Sequence, residues 1–165
     1  MSDELLEDAR ITAMGLFVEA FTGLNARLSV QLAEHGLGNV DFEVLVRLSR
    51  SPGGELRMTD LAAQTGLSTS GVTRVVDRLE RDGLAMRRAC PTDRRGSFTV
   101  VTPAGVAKMH AVLPGHVALI DEWFTGRLAP DALDSMLTSL RTIRDAVRPG
   151  ATSGIHPAPA PRAAA

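Results

Sequence analysis

A chain of 165 residues with 44% hydrophobic side chains is long enough for one domain with a real core and too apolar to be disordered throughout. Its formal net charge of −1 excludes a uniformly basic protein that coats nucleic acid, and its single cysteine excludes an internal disulfide. One cysteine, no apolar run near about 18 residues and no basic-then-apolar leader predict a soluble protein of a reducing, cytoplasmic compartment with no membrane partner.

From Glu4 to about His35 the residues Met14, Phe17, Val18, Phe21, Leu24, Leu28 and Leu32 recur at intervals of three and four, which predicts one long amphipathic helix. At 1.5 Å per residue it would run about 45 Å, more than one small domain can cover, so its outer half is expected to bury itself against a second copy. A kinked pair of core helices is the alternative. Gly15 and Gly23 are weak spots or close-packing points within it. Gly36, Gly38 and Asn39 end the pattern, and Asp41 is placed to start a second helix with Phe42, Val44, Leu45 and Leu48 inward. Ser51-Pro52-Gly53-Gly54 closes that helix, and Leu56-Arg57-Met58 reads as a short strand.

Thr59 is placed to cap a helix beginning at Asp60, with Leu61, Ala62 and Thr65 toward the core. Gly66 fits the left-handed position that ends helices, Leu67 anchors the turn, and Ser68 caps the next helix. There Val72, Val75, Val76 and Leu79 form one inward face. The other face shows Thr69, Ser70, Thr73, Arg74, Asp77 and Arg78. Two capped helices across a three-residue turn predict a helix-turn-helix. Hydroxyls at Ser68, Thr69, Ser70 and Thr73 suit phosphates, Arg74 and Arg78 suit bases or phosphates, and Gly71 leaves room for close backbone approach. A solvated helix face is the plainer reading of the same residues.

Gly83 closes this helix. Leu84-Ala85-Met86 and Ser97 to Val101 read as two strands around a loop bracketed by Pro91 and Gly96. Arg94 and Arg95 at such a tip are placed to enter a minor groove, and Asp93 to hold Arg95 by an ion pair or to stop the loop end. Between Arg74 and Arg95 there are seven arginines against four acids, a local basic surface on a near-neutral chain. Cys90 among these arginines is a candidate reactive thiol. Pro103 opens a further helix that Pro114-Gly115 is expected to kink or break. Pro130-Asp131 opens a last helix with Leu133, Met136, Leu137, Leu140, Ile143 and Val147 on one face. Residues 149–165, rich in Pro and Ala, read as a disordered tail.

The runs LAAQTGLSTSGVTRVVDRLERDGL and DRRGSFTVVTPAG resemble the MarR family of bacterial winged-helix regulators. Asp93, one residue, then Arg95 ahead of Val101-Thr102-Pro103-Ala104-Gly105 is similar to that family's wing signature, with Val101 where leucine is more usual. The expected fold is mainly α with a small β-wing: one winged helix-turn-helix regulator domain over residues 1–148. Its DNA-binding lobe would span about 40–102, and its dimerisation helices about 4–35 and 104–148. The resemblance implies that the first and last two helices interlock across a two-fold axis. It implies a homodimeric repressor of double-stranded DNA, released from a near-palindromic operator by a small, often aromatic effector bound between dimer helices and lobe. Trp123, Phe17, Phe21, Phe42 and His35 are candidate lining residues, although residues of these types are more often plain core.

Two alternatives stand beside this reading. Cys90 predicts a redox-sensing regulator, although redox-sensing members of the resembled family carry the reactive cysteine in the N-terminal helix, where this chain has none. A non-specific architectural winged helix predicts DNA binding without sequence preference. Catalysis is not expected: Cys90, His110 and His116 lack a nucleophile turn and an orienting acid, and no metal-ligand spacing, phosphate-cradling loop or cofactor motif is present.

Overall fold

The computed structural model describes residues 6–90 and 93–151. In chain order these form α1 (Ala9–Glu34), α2 (Asn39–Arg50), β1 (Glu55–Arg57), α3 (Met58–Thr65), α4 (Thr69–Arg81), β2 (Ala85–Cys90), β3 (Asp93–Val101), α5 (Pro103–Trp123) and α6 (Pro130–Val147). The strands make one antiparallel sheet in the order β1-β3-β2. The fold is mainly helical with a small sheet, as the sequence predicts.

The core sits in the lobe. Val44, Leu45 and Leu48 of α2, Leu61 of α3, and Val72, Val75, Val76 and Leu79 of α4 are all buried. Burying a side chain of this kind contributes about 1.5–3 kcal/mol, so this cluster dominates the stability of the lobe. Among the apolar residues of α1 and α5, Leu32 at the C-terminal end of α1 and Met109, Val112 and the partly buried Leu113 of α5 reach it. The rest of α1 leaves the core. Phe17 is 55% exposed and Phe21 61%, and α6 has no buried residue at all. Both apolar stripes predicted from periodicity are present; in a single chain Met14, Phe17, Val18 and Phe21 of α1 and Ile143 and Val147 of α6 are exposed, while Leu133, Met136, Leu137 and Leu140 are only partly buried.

Three expectations need correction. The third helix begins at Met58, not Asp60, and Arg57 occupies its cap position without a side-chain bond. The reason is that β1 runs straight into α3, so Thr59 already lies inside the first turn. The second helix begins at Asn39; Asp41 is its third residue, and its carboxylate accepts from the Gly38 backbone N–H at 3.3 Å. Third, of the kink or break expected at Pro114, the break does not occur: α5 runs through it as one helix. Proline removes one intrahelical hydrogen bond, but Met109, Val112 and His116 are buried on both sides of it, and this packing keeps the helix in register.

The end of the described chain also departs from the predicted tail. Ala151 is buried, Gly150 lies against Ala63, and the Arg148 guanidinium donates to the Gln64 carbonyl at 3.1 Å. Gly66, at φ +69°, permits this: a Cβ there would lie 2.7 Å from the Arg148 Nη2. Residues 152–165 of the predicted tail lie outside the described residues.

His116 joins α5 to two other helices. Its Nδ1 is 3.1 Å from the Gln31 Oε1, and its ring packs on Phe42 with centroids 4.3 Å apart. Gln31 in turn donates to the Val112 carbonyl. Burial pushes the His116 ring below its ordinary value, so the folded protein favours the neutral ring. The unfolded chain takes up a proton near its ordinary pKa of about 6.5, and the folded one only at lower pH. Stability from this group is therefore complete above about pH 6.5 and lost as the pH falls below it. Melting temperature measured from about pH 7 to 5 should fall less steeply in His116→Gln than in wild type; parallel curves would remove the effect.

Candidate nucleic-acid interface

The helix-turn-helix forms as its caps dictate. Gly66 ends α3 in the left-handed conformation, and the Ser68 hydroxyl accepts from the Gly71 backbone N–H at 3.1 Å to start α4. The four predicted apolar residues of α4 are buried, which turns Thr69, Ser70 and Arg74 outward as exposed residues. Thr73 is partly buried and bonds back to the Thr69 carbonyl at 2.9 Å. Gly71 also has a role within the protein. A Cβ there would lie 3.2 Å from the Ser68 Oγ and 3.5 Å from the Leu67 Cβ, so its missing side chain accommodates the capping turn.

The charge on this surface is arranged differently from the sequence count. Arg87 on β2 pairs with Glu80, with Asp77 at 2.7 Å, and with the Thr73 carbonyl at 3.3 Å, all on α4. Arg88 pairs with Glu55 of β1 across the sheet and, with Arg57, flanks the Phe98 ring. Arg78 forks onto Asp41 of α2, its Nε 2.9 and 3.0 Å from the two carboxylate oxygens. That hydrogen bonding pushes the Arg78 guanidinium above its ordinary range. Arg81 meets Asp82 at 3.5 Å. Asp41 and Glu55 lie outside the stretch whose charges were counted, so the predicted excess is partly cancelled. Arg74 alone among these has no carboxylate partner among the described residues; its Nε donates to the Ser70 carbonyl at 3.3 Å.

Partly exposed pairs such as these contribute about 0–1 kcal/mol each to stability. Their larger consequence is geometric. Arg87 holds the wing to one side of α4, and Asp41 holds α2 to the other. The recognition helix is thus clamped between its neighbours with one face and one uncommitted cation outward. A helix of this kind is suited to lie in a major groove, where outward side chains meet phosphates and base edges.

Comparison with known proteins decides what such a surface belongs to. Residues 35–96 match the MarR family profile. The chain is 33% identical over 103 residues to the HTH-type transcriptional regulator MhqR of Bacillus subtilis, covering 62% of this chain and 70% of that protein. It superposes on AbsC, a MarR family transcriptional regulator from Streptomyces coelicolor, with a TM-score of 0.82 and 36% identity over 86% of this chain and 96% of that one. The chain belongs to the MarR family. Sco3205, another Streptomyces coelicolor member solved in complex with DNA, superposes with a TM-score of 0.80 and 32% identity over 84% of this chain and 87% of that one. This MarR protein is accordingly a DNA-binding transcriptional regulator and not an enzyme.

Within this MarR fold the wing strands are longer than predicted: β2 extends to Cys90 and β3 starts at Asp93, with a register shift at Ala89/Cys90. The side chains of Cys90, Asp93, Arg94 and Arg95 lie outside the described residues, as do Pro91 and Thr92, so the predicted wing-tip roles fall there. The candidate effector residues do not converge. Phe42 packs on His116, His35 caps α1, and Phe17 and Phe21 are exposed along α1. Trp123 lines a cleft of about 400 Å³ between α1, α5 and α6, where the Arg27 and Arg127 guanidiniums lie 3.7 and 4.8 Å from its ring. No residue of the DNA-binding lobe lines that cleft. Among the described residues no helix is long and apolar enough to cross a membrane, and no acidic, histidine and cysteine side chains gather as a metal site.

Proposed function

We propose that this MarR protein acts as a homodimeric repressor that binds a near-palindromic operator and is released by a small molecule. The observation that carries the reading is the clamped α4, with Ser70 and Arg74 outward on a lobe whose attached helices leave Met14, Phe17, Val18 and Phe21 of α1 and Ile143 and Val147 of α6 exposed. Two copies joined through α1, α5 and α6 would cover those side chains and present two recognition helices. These would enter successive major grooves about 10 bp apart. Ser68, Thr69, Ser70 and Thr73 then fix the register on phosphates, and Arg74 reads bases or pairs with phosphate. Arg94 and Arg95 reach the flanking minor grooves, with Asp93 ordering the wing.

Repression follows because covering a promoter needs no contact beyond DNA itself. Release follows if an effector prefers a dimer whose helices are spaced differently, since that preference alone shifts the population away from DNA. The mass of the complex on a duplex with a single site tests the assembly. Two protomers per duplex, with no complex of one at limiting protein, is expected. A stable complex of one protomer per site contradicts it.

A further inference from the structure

Ser70, Arg74 and Arg78 follow one another at intervals of four along α4 and so share a stripe, each about 6 Å beyond the last. By sequence Arg74 and Arg78 are equivalent cations. In the structure they are not. Arg78 is 41% exposed, yet both oxygens of Asp41 lie at hydrogen-bond distance from its guanidinium. Asp41 is itself held in place. Its side chain is only 10% exposed and also accepts the Gly38 backbone N–H at the start of α2. The neighbouring Asn39 ties the same junction to α1, donating to Asn25 at 2.9 Å and to Ser29 at 2.7 Å. A guanidinium whose Nε and Nη2 fork onto a fixed carboxylate keeps three of its five N–H donors, but its charge is offset and its direction is set by Asp41 rather than by a phosphate.

We propose that Asp41 withholds Arg78 from DNA and thereby sets the selectivity of the recognition helix. A second arginine on that stripe would add a phosphate contact that is the same on every sequence. By engaging it within the protein, Asp41 leaves Arg74 and the short hydroxyls to meet the duplex, and unrelated DNA gains less than the operator does. Asp41 is a positioning residue in this scheme: it touches no DNA and acts through Arg78. The inference rests on the reading that α4 faces a groove.

Salt dependence separates this role from a merely structural one, because each phosphate contact adds about 0.9 to the slope of log affinity against log salt. Binding is measured over a series of salt concentrations on a short duplex of unrelated sequence and on one recovered by selection from a random pool. Arg78→Gln alone should leave the slope unchanged. Asp41→Asn should steepen it by about 0.9 per protomer, tighten binding to the unrelated duplex several-fold at low salt, and narrow the ratio between the two duplexes. Adding Arg78→Gln to Asp41→Asn should restore the wild-type slope, and Asp41→Glu, which keeps the carboxylate, should behave as wild type. A shallower slope in Arg78→Gln alone, or no steepening in a folded Asp41→Asn, overturns the inference. Should Asp41→Asn not fold, the Arg78→Gln slope still decides. Arg74→Gln is the separate control: it should weaken binding to the recovered duplex in every background, whether Arg74 meets a base or a phosphate. If it does not, the reading of α4 as the groove helix fails; if it does while Asp41→Asn changes nothing, only the present inference fails.

Discussion

Phe17→Glu and Phe21→Glu together should give a monomer that keeps its helices and loses operator binding by at least a hundredfold. Both side chains are more than half exposed on α1, and neither belongs to the core of the lobe. The variant should therefore leave the helix-turn-helix folded, and glutamate is a good helix former. What it removes is the apolar stripe assigned to the partner copy, replaced by charges that are costly to bury unpaired. Operator affinity in a dimer comes from two half-sites engaged at once. Linking two binding events in this way raises the overall affinity about 10²–10⁴-fold over either alone, and that gain disappears with the dimer. Sedimentation equilibrium and a titration of the selected duplex check the two halves of the prediction. A variant that remains dimeric, or a monomer that binds as tightly as wild type, would remove α1 from the interface.

Arg74→Ala should weaken operator binding by about 1–3 kcal/mol for each half-site while the dimer and its melting temperature stay close to wild type. Arg74 is exposed, it has no carboxylate partner among the described residues, and its one hydrogen bond is to a carbonyl of its own helix. Its removal thus leaves no buried charge behind. The contrast with Arg78 sharpens the test. Truncating Arg78 strips the partner from a nearly buried Asp41, so its cost should appear in stability before it appears in DNA affinity. Competition binding and thermal unfolding on the two variants separate the effects. Equal losses of operator affinity in both, with unchanged melting temperatures, would contradict the assignment.

The parts of this fold legible in the sequence are those fixed by local pattern. Val72, Val75, Val76 and Leu79 repeat at the helical period and are buried together, and Gly66 and Ser68 mark the turn because each has one backbone role there. The exposed stripe of α1 was also legible, since a helix that long outruns any single small core. That α5 runs unbroken through Pro114 was not legible, because the packing of Met109, Val112 and His116 around it is not a local feature. The site was less legible than the fold. Asp41 and Arg78 are 37 residues apart and Glu55 and Arg88 are 33 apart, so no spacing rule connects them. Counting charges in one stretch treated every arginine as available, whereas the structure commits Arg78, Arg81, Arg87 and Arg88 to carboxylates. A signal was present in Asp41, an acid at the start of a helix otherwise bound for the core, but capping alone accounts for such a residue.

Selection of bound duplexes from a random pool, at near-physiological salt so that non-specific binding is suppressed, shows whether this MarR protein is a specific dimeric regulator. A near-palindrome whose two half-sites lie one helical turn, about 10 bp, apart is the expected result. Recovery of no common sequence, with weak binding that fades steeply as salt rises, would contradict a specific dimeric regulator and favour an architectural winged helix.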